Sequence, residues 1–428
     1  MVFDNLPNKE KVYWLNYLLR MELHFARQIE QLHTHKFAAM HPQRRALLEE
    51  ANLFYQNFYT KVKEDLYPLV AKDALLDAEV LDFNYSNLST FSLGYILRDW
   101  GTGQEQEEQQ LITQTIEKKL SALGMEVGVG HALFLGCGMG RYAVDLAHRY
   151  QRVKAFDASV LMIWCIEYLQ KINHWKVLNK NERNCRRIED TVQRMEVGMT
   201  AKQKAIIASK VDFFVANATD IPLPPQSIQH IYSIYFTDVL PLPQLYQEVD
   251  QLLMEQGLFI HFGPLEYFFN QEEQMLTAEE VRLFFEAQGY RVLADEFMAT
   301  KHLSSENSMR HRVYDNWFFI AQKLTAKTEV VLELSTVLSL NNQAQLSSVS
   351  QIAEGTCTGV EYEAKLGNQS YQLPEIIYEL LGQINGQRSI QALLQVLDLV
   401  DIDSEDQAQL LQIVHELATA NILKLTND

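Results

Sequence analysis

The sequence predicts an α/β protein in which helices cover both faces of a central sheet. Between 84 and 325, short apolar runs alternate with helical segments, which is the pattern of successive βαβ units. A glycine-rich turn from Gly136 to Gly140 directly follows one apolar run, and Asp157 ends the next. Such a turn, followed by an acidic residue after the second strand, is typical of nucleoside-binding sheets. A helical segment precedes this region and a small α+β segment follows it.

The central region is predicted to contain seven strands. The segment at about 171–210 is rich in charges of both signs and predicts a helical insertion. An insertion beside the open end of such a sheet often acts as a lid. The predicted strands lie near 131–135, 152–156, 211–215, 229–235, 257–262, 290–297 and 315–322.

Two further segments flank the sheet. In residues 1–83, apolar side chains recur at intervals of three and four, which predicts amphipathic helices that form a cap or a dimerisation surface. Residues 326–428 combine strand-like stretches with helical runs and predict a small winged-helix-like domain. A chain of 428 residues is too long for one hydrophobic core, so two or three domains are expected.

Charge and composition exclude several classes of protein. The formal net charge of −18 argues against a general surface for nucleic acid or for an anionic membrane. No signal segment or membrane-spanning stretch is recognisable, so we expect a cytoplasmic protein. The four cysteines are scattered and show no spacing for a metal site or a disulfide framework.

The glycine turn has the chemistry of a ligand loop. Gly136, Gly138 and Gly140 lie between a strand and a helix, where bare backbone lets a ligand approach and the helix offers unpaired N–H groups. The carboxylate of Asp157 is placed to accept hydrogen bonds from ribose hydroxyls. A tight turn without a ligand, and a helix N-cap at Asp157, are the structural alternatives.

A third segment favours one cofactor over another. The turn containing Asn217 and Ala218 follows a predicted strand, where a polar group can reach an adenine amino group. No second phosphate-binding loop is present, so the pattern fits a single nucleoside better than a dinucleotide. These features favour S-adenosylmethionine over NAD.

With these motifs the chain resembles the carnosine N-methyltransferase-like proteins, which are class I S-adenosylmethionine-dependent methyltransferases with a Rossmann-like sheet. The likeness runs in family order over about 84–323. The matching stretches are Asn84-Tyr85, ILRDW (96–100), LFLGCGMGR (133–141), FDAS (156–159), YFTD (235–238), GLFIHFGPLEYFF (257–269) and Tyr314.

The resemblance implies roles for the cofactor-binding residues. Arg98 is expected to grip the cofactor carboxylate, the loop from Gly136 to Arg141 to surround the methionine part, and Asp157 to hold the ribose. For Arg98, a salt bridge to a neighbouring carboxylate is the alternative.

The resemblance also implies that Asp238 contacts the substrate imidazole and that Tyr314 belongs to the catalytic site. Methyl transfer needs a neutral, correctly aimed nitrogen. A carboxylate that accepts the other N–H fixes the tautomer and stabilises the developing positive charge. A simple turn that caps the next helix is the alternative for Asp238.

Two positions depart from the family pattern where the substrate is expected. Phe269 replaces a histidine, and of the tyrosines that the family has before the last strand only Tyr314 remains, with Arg312 two places earlier. Arg312 and His311 can meet a substrate carboxylate, or they can be solvated hairpin residues. Tyr267 is expected among the aromatic residues that line the cleft, which are Trp100, Tyr235, Phe236, Tyr267 and Phe268.

The tail bears on what the substrate is. Residues 373–394 with 422–426 are similar to PqqD-like and other winged-helix modules, which present peptides to enzymes or pair subunits. Three functions therefore stay open: imidazole N-methylation of a small histidine-containing compound, the same chemistry on a ribosomal peptide or protein recruited by the tail, and a non-catalytic binding protein. A dimerisation or stability role is the alternative for the tail.

Overall fold

The computed structural model describes residues 2–4, 6–70, 93–101, 106–125, 127–128, 130–181, 183–303, 308–324, 334–341, 344–353, 356–366, 369–399, 404–419 and 422–426. The chain divides into two compact units, Met1–Ala326 and Lys327–Asp428. No helix in these ranges is both long and apolar enough to cross a membrane.

The first unit contains nine described α-helices and nine described strands. The helices are α1 Asn8–Leu32, α2 Pro42–Leu66, α3 Leu93–Trp100, α4 Gln106–Ala122, α5 Arg141–Leu146, α6 Val160–Lys171, α7 Ala201–Lys210, α8 Leu242–Leu252 and α9 Ala278–Ala287. The strands are β1 His131–Leu135, β2 Arg152–Asp157, β3 Trp175–Lys180, β4 Val192–Val197, β5 Val211–Val215, β6 Ile228–Ile234, β7 Leu253–Gly263, β8 Tyr290–His302 and β9 Arg312–Lys323.

Seven of these strands form one sheet in the order β5-β2-β1-β6-β7-β9-β8. The first five are parallel, and β9 pairs antiparallel with both β7 and β8. Each strand predicted from the sequence is present. The order reverses between β1 and β6, and open α/β sheets bind ligands beyond the carboxyl ends of the strands at such a point.

Alternating side chains bury both faces of the sheet. Phe134 packs on one face with residues of α4 and α5, whereas Leu133 and Leu135 pack on the other with residues of α8 and α9. This alternation follows from the two-residue period of a strand. The sheet is therefore covered by helices on both sides, which confirms the predicted Rossmann-like α/β class.

The N-terminal helices α1 and α2 pack onto α6. Trp14, Leu18 and Phe58 share one core with Val160 to Leu169 of α6, so α6 is buried on nearly all sides. The helical cap is thus present in the described part of residues 1–83. Asn84 and Tyr85, quoted above for the resemblance, lie outside the described residues.

In the described part of the segment 171–210, predicted to be a helical insertion, the α-helix that begins there is Ala201–Lys210, and a short 3₁₀ turn spans Glu189–Thr191. Strands β3 and β4 form an antiparallel hairpin before that helix, so the prediction is wrong for this part. The buried side chains of this hairpin are Val177, Val192 and Val197, and Lys176, Arg194 and Glu196 near them are exposed. The high charge of the segment hid these few buried positions.

The second unit is α+β. Its described helices are α10 Glu375–Gly382, α11 Ile390–Val396 and α12 Ser404–Thr419, and its strands are β10 Val337–Leu340, β11 Gln345–Ala353, β12 Thr356–Leu366, β13 Gln369–Leu373 and β14 Leu423–Thr426. Strands β11, β12 and β13 form an antiparallel meander, and β10 pairs with β14. The winged-helix and PqqD-like likeness stays a prediction.

Candidate active site

The glycine loop joins β1 to α5 at the reversal of strand order. Gly136, Gly138 and Gly140 all have left-handed backbones, with φ of 51°, 55° and 76°. A Cβ at Gly136 would lie 2.1 Å from the ring of Phe236, and one at Gly140 would lie 2.4 Å from the ring of Phe213. A Cβ at Gly138 would meet nothing within 4 Å. Of the three, Gly138 is the one that opens onto free space.

Asp157 holds this loop from the end of β2. Its Oδ2 accepts a hydrogen bond from the Gly138 N–H at 2.9 Å, and its Oδ1 accepts from the Ser159 N–H at 2.8 Å. Burial raises the pKa of the carboxyl to about 6, although the two N–H groups act in the opposite direction. A carboxylate has about four acceptor positions, so it can also accept from a ligand's hydroxyl groups.

The turn with Asn217 and Ala218 lies beside Asp157. The Ala216 N–H donates to the carbonyl of Asp157 at 3.3 Å, which places the ends of β2 and β5 together. Asn217 is exposed, and its Oδ1 accepts from the Thr219 N–H at 3.1 Å, whereas Ala218 is buried. The side chain of Asn217 is thus held beside the ends of β2 and β5.

Helix α3 is bonded directly to the glycine loop. The indole N–H of Trp100 donates to the Met139 carbonyl at 2.8 Å. Arg141 donates from Nη1 to the Asp99 carbonyl at 2.8 Å and from Nε to the carboxylate of Asp145 at 2.9 Å. The two motifs expected to bind the cofactor therefore also brace each other. Arg141 has this bracing role in the structure, and its contact with the cofactor stays a prediction.

Arg98 lies buried at the end of the same helix. Its Nε donates to Asp99 Oδ1 at 2.6 Å, so the salt bridge weighed above as an alternative is present. Its guanidinium carbon lies 5.3 to 6.0 Å from the centres of the rings of Tyr95, Tyr142 and Tyr235. Burial, the largest single influence, would by itself lower the pKa of Arg98, but the charge of Asp99, the hydrogen bond to it and the nearby Tyr142 and Glu108 together raise that pKa. Among the described residues only Nε donates a hydrogen bond, and a guanidinium has further donors for a ligand carboxylate.

Asp238 lies in the turn after β6 and is 2% exposed. Its Oδ2 accepts from the Glu266 N–H at 2.9 Å, and its Oδ1 is buried with no hydrogen-bond partner among the described residues. Burial raises the pKa of this carboxyl to about 6, against the effect of the Glu266 N–H. A buried acceptor without a donor is costly, and a substrate N–H would satisfy it.

The loop after β7 supplies the neighbours of Asp238. The Phe268 N–H donates to the Asp238 carbonyl at 3.0 Å. The hydroxyl of Tyr267 donates to the Leu276 carbonyl at 2.5 Å, and the Tyr267 ring lies 5.2 Å from the ring of Phe269. Tyr267 and Phe269 are thus brought together, and the Tyr267 hydroxyl braces the loop.

Tyr314 and Arg312 meet beside Glu266. The hydroxyl of Tyr314 donates to Glu266 Oε2 at 2.5 Å and accepts from Arg312 Nη1 at 2.9 Å. Burial and the Glu266 carboxylate raise the pKa of Tyr314 to about 12. The sequence reasoning missed Glu266, although it stands inside the quoted GPLEYFF stretch.

A second buried cluster adjoins Tyr235. Glu108 Oε1 lies 2.9 Å from His302 Nδ1 and 3.2 Å from the hydroxyl of Tyr235, and its Oε2 accepts from the Leu303 N–H at 2.9 Å. Burial would raise the pKa of Glu108, but His302 and the charge of Arg98 lower it. The sequence reasoning missed this cluster because its members are far apart along the chain.

Comparisons with protein families and solved structures show what this chain is similar to. A family model described as carnosine N-methyltransferase matches residues 80–325. Among solved structures, an S-adenosylmethionine-dependent methyltransferase from Aquifex aeolicus is 17% identical, with a TM-score of 0.31 over 49% of this chain and 89% of that one. A precorrin-6y C5,15-methyltransferase from Geobacter metallireducens is 12% identical, with a TM-score of 0.33 over 53% of this chain and 95% of that one. A search of the curated proteins found no match.

The family expected from the motifs is therefore confirmed over more than half of the sequence. The chain belongs to the carnosine N-methyltransferase family and is an S-adenosylmethionine-dependent methyltransferase.

Proposed function

We propose that the chain methylates an imidazole nitrogen of a small histidine-like or histidine-containing compound. The observation that carries the proposal is the buried Oδ1 of Asp238, which lacks a donor among the described residues. An imidazole presents an N–H donor and, on the opposite side of the ring, an unprotonated nitrogen. It can therefore satisfy Asp238 and offer a nucleophile at the same time.

The residues present fit the cofactor. Gly138 opens onto free space, Asp157 has acceptor positions for ribose hydroxyls, and Arg98 has donors for a carboxylate. Asn217 lies beside the ends of β2 and β5, where the adenine is expected. When bound, S-adenosylmethionine supplies an electrophilic methyl group.

Asp238 has two tasks in this proposal. By accepting the imidazole N–H at Oδ1, it fixes the tautomer in which the other nitrogen is free to attack. As that attack places positive charge on the ring, the carboxylate stabilises the charge in a site with little water. The Glu266 N–H on Oδ2 holds the carboxylate in place.

Tyr314 has an orienting task. With a pKa of about 12 its hydroxyl stays protonated at neutral pH, so it does not act as a base. It keeps Glu266 and Arg312 in place.

The variant Asp238→Asn tests the proposal. We expect the dissociation constant for S-adenosylmethionine, measured by calorimetry, to stay the same. Turnover of an imidazole substrate should fall by about 10²- to 10³-fold, the usual effect of losing one preorganised electrostatic contact. Asp212→Asn, at a half-exposed aspartate that pairs with Lys154, is the matched control. Unchanged turnover in Asp238→Asn would remove this residue from the mechanism.

A further inference from the structure

Two opposite charges share one hydroxyl group near Asp238. Glu266 accepts a hydrogen bond from the Tyr314 hydroxyl, and Arg312 donates one to the same oxygen. The side chains of Glu266 and Arg312 are exposed, whereas Tyr314 is half-buried between them. A ligand can therefore reach both charges from the solvent side.

This pair lies next to the carboxylate that the proposed function assigns to the imidazole. The backbone N–H of Glu266 donates to Asp238 Oδ2, so one residue belongs to both the buried site and the charged pair. Glu266 thus adjoins Asp238, and Arg312 is linked to Glu266 through the Tyr314 hydroxyl, so both charges are near a ring bound at Asp238.

The spacing of the two charges limits what that other end can be. Because both side chains bind one phenolic oxygen, their charged groups lie only two hydrogen bonds apart. In an α-amino acid the ammonium and the carboxylate are attached to the same carbon atom. In a dipeptide the terminal ammonium and carboxylate are separated by a peptide unit.

Resting on the proposed imidazole methylation, we infer that the substrate is an α-amino acid of the histidine type, with its ammonium at Glu266 and its carboxylate at Arg312. Charged pairs at the rim of a site contribute more to selectivity than to raw affinity. Glu266 and Arg312 thus select which imidazole compound binds, whereas Asp238 accepts the ring N–H of any compound that is bound.

A set of four imidazole compounds tests this inference on the unmodified enzyme. Histidine carries both charges on one carbon, histamine lacks the carboxylate, imidazole propionate lacks the ammonium, and β-alanylhistidine separates the two charges. We expect kcat/KM for histidine to exceed that for each of the others by about tenfold or more, the usual effect of one charged hydrogen bond. Equal values for all four would overturn the inference and leave imidazole methylation standing. Methylation of none would overturn the proposed function itself.

Two variants assign the charges. Glu266→Gln should lower kcat/KM for histidine and histamine by about 10- to 100-fold and leave imidazole propionate unchanged. Arg312→Gln should lower it for histidine and imidazole propionate and leave histamine unchanged. Arg310→Gln, at a neighbouring exposed arginine, is the control and should change none of them. An equal loss for all compounds in either variant would overturn the assignment.

Binding provides a readout that does not depend on turnover. With the enzyme saturated by S-adenosylhomocysteine, calorimetry should show that Glu266→Gln raises the dissociation constant of histamine and not that of imidazole propionate. Arg312→Gln should do the reverse. An indirect effect of Glu266→Gln through the nearby Asp238 would raise both dissociation constants equally, so it would not reproduce this selective change.

Discussion

The carboxyl groups of Asp157 and Asp238 both have raised pKa values. Burial raises the pKa of Asp157 and of Asp238 from 3.8 to about 6. The folded state therefore binds these protons more tightly than the unfolded state does. The stability that each group contributes is full below pH 3.8 and is lost as pH rises through 6. Ligand groups that donate hydrogen bonds favour the ionised carboxylates and offset this loss.

At Asp157 this linkage predicts a pH-dependent cofactor affinity. Ribose hydroxyls donate to the ionised carboxylate, so binding is strongest above its pKa of about 6. The dissociation constant for S-adenosylmethionine, measured by calorimetry, should rise roughly tenfold between pH 7 and pH 5.

The Asp157→Asn variant should remove that dependence. It should bind the cofactor about 1–3 kcal/mol more weakly at pH 7. Asp238→Asn is the control and should keep the pH profile of the unmodified enzyme. An affinity in the unmodified enzyme that does not change with pH would show that Asp157 does not hold the ribose.

At the scale of elements, the coupling of α3 to the glycine loop is the main finding. The hydrogen bonds of the Trp100 indole and the Arg141 guanidinium join residues that are 39 and 42 positions apart in the sequence. Local patterns located both segments, but no local pattern indicates that one hydrogen-bonds the other. The hairpin of β3 and β4 was missed for a different reason, since its three buried valines are spread among charged residues.

The variant Trp100→Phe tests this coupling. It removes the N–H that donates to Met139 and leaves a buried carbonyl without that partner. We expect the free energy of unfolding to fall by about 1–3 kcal/mol and the cofactor to bind more weakly, because the loop is less firmly held.

The matched control is Trp317→Phe. Trp317 is also buried and donates its indole N–H to Asp295 at 2.8 Å, on the hairpin of β8 and β9. It should lose similar stability in denaturant unfolding and keep its cofactor affinity. Equal affinity losses in both variants would mean that Trp100 acts only through general stability.

On the scale of the whole molecule, each of the two units has a hydrophobic core of its own. Among the described residues, the core of the second unit consists of residues between Leu334 and Leu423, and every candidate site residue belongs to the first unit. Separate cores are the property that allows domains to fold separately.

A chain that ends at Ala326 should therefore keep its activity on small imidazole compounds. Steady-state kinetics check this prediction. The shortened chain and the full chain are compared with the same small substrate and with a histidine-containing peptide. A selective loss of affinity for the peptide would favour recruitment by the tail. Loss of turnover on the small substrate would contradict the assignment of the whole site to the first unit.

The sequence by itself determined the α/β class, the seven strands, the family and the cofactor. These depend on local patterns, namely apolar periodicity, glycine at left-handed positions and short motifs in a given order. Such patterns are visible in the chain because each involves residues that are close in sequence.

Only the tertiary structure decided how the site is assembled. It showed that Gly136 and Gly140 are limited by aromatic rings while Gly138 opens onto space, and that Asp238 keeps one acceptor unpaired. It also brought Glu266, Arg312 and Tyr314 together. The physical reason is that these properties depend on burial and on contacts between distant segments, and both arise only when the chain is folded.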